Sequence, residues 1–215
     1  MQAEEYQWVA RGNNDTGDAG DALACWQAYD PSVKVELTST ALLSGGRLVF
    51  IDPIPLAETA LAELTAAGTP AGILLTNGNH ERAASALAKR FEIPIFAAAE
   101  ALPEFSPELP ARAFAPSDHL FDLAAPISLP GAAPGETAFY WPGCGGVLIF
   151  GDAVINLEST GLAFLPGRYC TNARLLHRSA RERLAFPQPI GIVAFAHGTP
   201  IVTAARERLS ALLGK

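Results

Sequence analysis

One stretch near the middle of the chain admits few alternative folds. Residues 72–97 read G-I-L-L-T-N-G-N-H-E-R-A-A-S-A-L-A-K-R-F-E-I-P-I-F-A. The apolar run Ile73–Thr76 predicts a buried strand, the spacing that follows predicts an amphipathic helix to about Phe91, and Ile93–Ala97 predicts a second strand. Between strand and helix lies a polar turn, Asn77–Arg82, which holds Asn77, Asn79, His80, Glu81 and Arg82. In open α/β sheets the carboxyl end of a strand is where ligands gather, so this turn is the first candidate site.

The flanking segments supply further strand ends. Val33–Ser39 and Arg47–Ile51 predict two strands joined by a turn at Ser44-Gly45-Gly46, the second ending in Asp52-Pro53. Leu56–Ala67 has helical apolar spacing and stops at Gly68. Leu102–Pro116, with four prolines, predicts an irregular connection, and Asp118-His119 a turn carrying a surface histidine. Phe139–Trp141 and Val147–Phe150 predict a hairpin whose second strand ends in Gly151-Asp152. Ile190–Ala196 predicts a strand that delivers His197-Gly198, and the chain closes with a helix over Ile201–Leu213. Asn172–Leu184 predicts a helix whose basic residues (Arg174, His177, Arg178, Arg181, Arg183) form a solvated face. Asn156–Arg168 shows no period. Tyr6–Asp30 resists assignment, apart from a turn-rich loop with Asp15, Asp18 and Asp21 whose spacing does not fit an EF-hand.

Composition narrows the class. A chain of 215 residues that is 49% hydrophobic is long enough for one sizeable core, so residues 1–215 are expected to form a single domain. A net charge of −7 without a basic stripe argues against nucleic acid and anionic membrane as partners. The acidic N-terminus does not read as a signal peptide, and no apolar run reaches membrane-spanning length. Cys25, Cys144 and Cys170 lack metal-type spacing and predict free thiols in a reducing, cytoplasmic setting.

The order of these landmarks resembles the metallo-β-lactamase fold family. There a strand ending in Thr leads into His-x-His-x-Asp-His and then a helix; here Asn77, Asn79, Glu81 and Arg82 stand in the four ligand positions. Ile51-Asp52 is similar to the family's Ile-Asp strand end, which supports the metal loop. Gly131, Pro134, Gly135 and Thr137 match its Pro-Gly-His-Thr-Pro-Gly-Ser-Thr segment, with Ala132 in the histidine position. Gly151-Asp152 keeps the bridging carboxylate, and His197-Gly198 matches the last ligand strand. Over roughly Val33–Leu213 the resemblance implies an α/β (α+β) protein built as a four-layer αββα sandwich.

For the site, the resemblance implies loss of chemistry. The first metal position reduces to Asn77, Asn79, Ala132 and Asp152, and neutral amides are weak donors while alanine offers none. The second retains Glu81, Asp152 and His197, enough for one zinc, manganese or iron ion, but places Arg82 among them. A guanidinium repels a cation, so Arg82 is expected to pair with Glu81 or Asp152 and stand where a metal would be. His80 is expected to point away from the cleft, unless a shifted turn brings it toward Glu81 or His197. The leading expectation is therefore a degenerate, non-catalytic or metal-independent binder of a small ligand, with no metal or other cofactor. A mononuclear hydrolase of an ester, thioester, amide or phosphoester is the alternative, and an interaction module, such as a homo-oligomer, the second alternative.

Overall fold

The computed structural model describes residues 1–12, 20–115 and 117–214. The aspartate-rich loop centred on Asp15 and Asp18 lies outside them. A seven-stranded sheet runs in chain order through β1 (Gln7–Arg11), β2 (Ala22–Asp30), β3 (Val35–Ser44), β4 (Arg47–Ile51), β5 (Thr69–Leu74), β6 (Ile95–Ala97) and β7 (Ala111–Ala113). Its first three pairings are antiparallel and its last three parallel. The tight β3–β4 turn takes Gly45 and Gly46 at φ of 53° and 70°, the left-handed geometry that suits glycine. Helix α1 (Glu58–Ala67) and helix α2 (Ala84–Phe91) make the parallel crossovers β4–β5 and β5–β6.

The second half repeats the plan. A four-stranded sheet has the order β13 (Ile192–Phe195), β10 (Val147–Phe150), β9 (Thr137–Trp141) and β8 (Ala125–Ser128). Only the β10–β13 pair is parallel, with α3 (Ala173–Arg183) between them in sequence. Helix α4 (Ala205–Leu213) follows β13, and β11 (Val154–Leu157) with β12 (Gly161–Phe164) forms a separate two-stranded hairpin.

Period-two side-chain alternation produces the layering. In β4, Leu48 and Phe50 face the α1–α2 side, whereas Val49 and Ile51 face the other sheet. In β10, Leu148 and Phe150 face α3 and α4, whereas Val147 and Ile149 meet the first sheet. Three apolar cores thus separate four layers in the order α, β, β, α, as the resemblance implies. Among the described residues no helix is long and apolar enough to cross a membrane.

Three segments differ from expectation. Strand β2 carries buried residues on both faces (Leu23 toward the other sheet, Ala24 and Trp26 toward the helices), so it shows no polar alternation to read. Each strand of the β11–β12 hairpin is only four residues long, too short for a period to declare itself. The final helix starts at Ala205 because Ile201 is still extended, exchanging backbone hydrogen bonds of 3.0 and 2.8 Å with Val193.

Candidate functional site

Strand direction gathers the site. β4 and β5 are parallel neighbours in one sheet, β10 and β13 in the other, and the carboxyl ends of all four meet at one edge of the sandwich. Phe150 is paired with Phe195, so Asp152 and His197 each follow two residues beyond a matched pair. On the opposite sheet Asp52 follows β4, and the turn after β5 carries Thr76 through Arg82.

His80 is the centre of the arrangement, which makes the shifted turn the observed one. It is buried, with Nδ1 2.9 Å from Asp52 Oδ2 and 2.9 Å from Thr76 Oγ1. Thr76 itself donates through its backbone N–H to Asp52 Oδ1 at 2.9 Å and through its hydroxyl to Oδ2 at 2.5 Å. A carboxylate only accepts, so Nδ1 of His80 carries the proton and Nε2 faces Asp152 Oδ1 at 3.3 Å. His197 is held the same way, with Nδ1 3.3 Å from the Glu36 carbonyl and Nε2 3.0 Å from the same Asp152 Oδ1. One donor atom each from His80, Asp152 and His197 lies within 4.8 Å of the others, a group with the chemistry of a divalent-metal site.

The other expected site residues divide. Asn77 and Asn79 are at the centre: Asn77 Nδ2 donates to Glu136 Oε2 at 2.9 Å and to Asp152 Oδ2 at 3.1 Å, and Asn79 Nδ2 reaches Asp152 Oδ2 at 3.5 Å. Glu81 is turned outward, accepting from the backbone N–H and hydroxyl of Ser106 at 2.8 and 2.5 Å. The trio Glu81, Asp152 and His197 is therefore not assembled; His80 stands where Glu81 was expected. Arg82 hydrogen-bonds neither Glu81 nor Asp152. Its guanidinium donates to three backbone carbonyls, Thr38 at 2.8 Å, Asp52 at 3.0 Å and Ala196 at 3.3 Å. Asp52 and Ala196 lie just past the ends of β4 and β13 and Thr38 within β3, and a forked cation reaches all three carbonyls at once. Ala132 faces away from the cleft, fully buried in the core between the second sheet and α3. Gly131 before it, at φ 115°, has its backbone so close to Leu176 N that any Cβ would fall 2.3 Å from it.

Glu136 is the residue of this cluster that sequence reading passed over. Its Oε1 accepts from Ala153 N–H at 2.8 Å, and it is 2% exposed. The only signal was a glutamate directly ahead of an apolar strand, in a segment otherwise free of charge. Gly151 permits the close packing here, since a Cβ at that position would fall 2.4 Å from Thr76 Oγ1 and 2.9 Å from Glu136 Oε1.

Burial and neighbouring charge set the protonation states. Burial, reinforced by Asp152, pushes the Glu136 carboxyl up to about 8. Burial and Arg82 disfavour the His80 cation, but Asp52 and Asp152 outweigh them and raise it to about 9. Burial would likewise raise Asp52 and Asp152. The His80 charge offsets this at both, assisted by Arg82 at Asp52 and by His197 at Asp152, and both carboxyls stay below their usual range. Without a metal, His80 is thus an imidazolium between two carboxylates. Asp52 and Arg82 also take left-handed backbone, φ 47° and 42°, which costs on the order of 1–2 kcal/mol for a residue with a Cβ.

The cluster forms the floor of an open cleft of about 1230 Å³. One wall is the β2–β3 turn, and the other is the β11–β12 hairpin with the following turn around Arg168 and Tyr169. The sequence profile of the metallo-beta-lactamase superfamily matches residues 19–214. The chain belongs to the metallo-β-lactamase superfamily. Among solved structures it is similar to DIM-1 metallo-beta-lactamase, with 15% identity, 99% of this chain and 98% of that one covered, and a TM-score of 0.69. A metallo-beta-lactamase from Erythrobacter litoralis gives 14% identity, coverage of 97% and 95%, and a TM-score of 0.62. TTHA1623, solved in a di-iron-bound form, gives 23%, coverage of 94% and 98%, and 0.59. At these identities the likeness to the solved structures carries the fold alone. No curated protein matches the sequence. In this member the group that could hold a metal is His80, Asp152 and His197, with Asn77 and Asn79 hydrogen-bonded to Asp152 beside it.

Proposed function

We propose that this chain is a hydrolase working with a single divalent ion held by His80, Asp152 and His197. The observation that supports it is orientation: both imidazoles turn Nδ1 onto an oxygen acceptor and aim Nε2 at one Asp152 oxygen, 3.3 and 3.0 Å away. Metal-binding histidines are commonly fixed through the other ring nitrogen in this way. A bound zinc, manganese or iron ion would supply Lewis acidity and a water of lowered pKa, suited to an ester, thioester, amide or phosphoester.

The chain's own residues then have separable tasks. Asp52 and Thr76 hold the His80 ring and its tautomer. Asn79, on the cleft floor, offers an amide N–H beside Asp152 for a substrate oxygen. Glu136, neutral below about pH 8, and Asn77 occupy the space behind Asp152 with hydrogen bonds rather than a second ligand set. Arg82 spends its donors on three backbone carbonyls and leaves its charge to balance Asp52 and Asp152.

Elemental analysis of protein purified without chelator, followed by zinc, manganese and iron titration, tests this reading. One equivalent bound in the wild type and none in His80→Ala, with hydrolysis of a panel of esters and phosphoesters, is expected. A second reading, a metal-independent binder of a small ligand, is favoured by the His80 cation, which already satisfies Asp52 and Asp152. Metal content near zero after supplementation would select it.

A further inference from the structure

We infer that the cleft takes an amphiphilic anion: a molecule with an extended apolar body and one carboxylate or phosphate group. This deepens the preceding reading and rests on the cleft being the substrate site. Five large apolar side chains are conspicuously exposed among the described residues, and three of them, Met1 (51%), Val33 (60%) and Tyr169 (61%), line this one cleft. Apolar side chains left in water around a concave site mark where an apolar partner is bound.

Each wall pairs its exposed apolar residue with a cation. Lys34 follows Val33 at the tip of the β2–β3 turn, held at φ 57° with its N–H on the Asp30 carbonyl at 2.8 Å. Arg168 precedes Tyr169 on the opposite wall and lies 4.7 Å over its ring. Of the carboxylates in the lining, Asp152 is offset by His80 and His197, and Asp30, kept ionised by Ser32 N–H and Oγ at 2.8 and 2.7 Å, is outnumbered by Lys34 and Arg168. On a chain of net charge −7, two cations facing one apolar cleft select an anion. Deeper in, Leu37, Ile155 and Leu165 continue the apolar surface down to the polar floor. An anionic group therefore rests between Lys34 and Arg168 at the mouth while the apolar body reaches inward.

The test is calorimetric titration of the chelator-treated full chain with decanoate, decyl phosphate, butyrate and the neutral octyl glucoside. Decanoate or decyl phosphate is expected to bind at least about tenfold more tightly than butyrate, because the added methylenes are buried. Which of the two binds better distinguishes a carboxylate from a phosphate head. Lys34→Glu and Arg168→Glu should each weaken the anion at least about fivefold and leave octyl glucoside unchanged. In the wild type, raising salt from about 0.05 M to about 0.5 M should weaken the anions only, a control that needs no variant. Equal binding of butyrate and decanoate, or no response to charge reversal and salt, would overturn the inference. None of these probes needs a metal to bind, and chelator treatment keeps the phosphoester of decyl phosphate from metal-dependent cleavage during the titration. A chain that takes up no ion but binds decanoate therefore refutes the hydrolase reading alone, and the converse refutes this one alone.

Discussion

Asp52 Oδ2 and His80 Nδ1 lie 2.9 Å apart, with both side chains almost wholly buried. That contact joins the end of β4 to the turn after β5 and sets the direction in which the other imidazole nitrogen points. If His80 is a ligand, Asp52 is its orienting partner. Asp52→Asn would place an amide against a ring N–H and disturb the tautomer. Metal affinity should fall about 10–100-fold, read by competition with a chromogenic chelator. An unchanged affinity would remove His80 from the ligand set.

Arg82→Ala should destabilise the fold. Three carbonyls from two sheets lose a charged donor: Thr38 within β3, Asp52 just after β4 and Ala196 just after β13. A loss of about 2–3 kcal/mol in urea unfolding is expected. Arg82→Lys should recover only part of it, because an ammonium cannot reproduce the fork. Wild-type stability in the alanine variant would show that water replaces the guanidinium at no cost.

The chelated protein should lose stability as pH rises. His80 titrates near 9 in the folded chain against about 6.5 when unfolded, so its contribution is complete below about 6.5 and is lost through 9. Glu136, raised to about 8, acts in the same direction, since the folded state again binds the proton more tightly. Asp52 and Asp152, both lowered, contribute above the usual carboxylate pKa and lose that stability in acid. Urea midpoints should therefore be highest around pH 5–6 and fall toward pH 9. A midpoint that rises from pH 6 to 9 would contradict the assigned charges.

Glu81 and Ala132 should behave as structural positions. Glu81→Gln weakens an exposed cap on Ser106 and should leave metal content unchanged while costing at most about 1 kcal/mol. Ala132→His should add no second ion. The larger ring enters a filled core and should cost on the order of 1–3 kcal/mol. Two bound equivalents in that variant would mean that the loop can swing its side chain into the cleft.

Much of the scaffold was legible in the chain. The strands ending in Asp52, Thr76 and Asp152 declared themselves through apolar runs closed by a polar residue, and β4 is observed where it was expected. Strand β2 escaped because burial on both faces erases alternation, and β11–β12 because four-residue strands carry little period. At the site, Asp152 and His197 converge as the landmark order suggested. The turn between Asn77 and Arg82 was legible only as a polar turn. Spacing assigns residues to positions along a motif, but which side chains face inward depends on the dihedrals of a turn with no period. His80 turned inward and Glu81 outward.

The amino-acid sequence by itself determined most of the elements, because apolar runs and helical spacing leave faces that must be covered, and the order of its landmarks, through the family resemblance, implied the αββα sandwich that covers them. Only the tertiary structure decided the chemistry of the edge. The two ends that bring Asp52 and Asp152 to His80 come from different sheets, and the contacts between them span 28 and 72 residues of chain. Local pattern carries information over a turn or two of helix or a strand's length. The charge on His80, the neutrality of Glu136 and the reach of Arg82 all arise from groups that meet only after both sheets have packed.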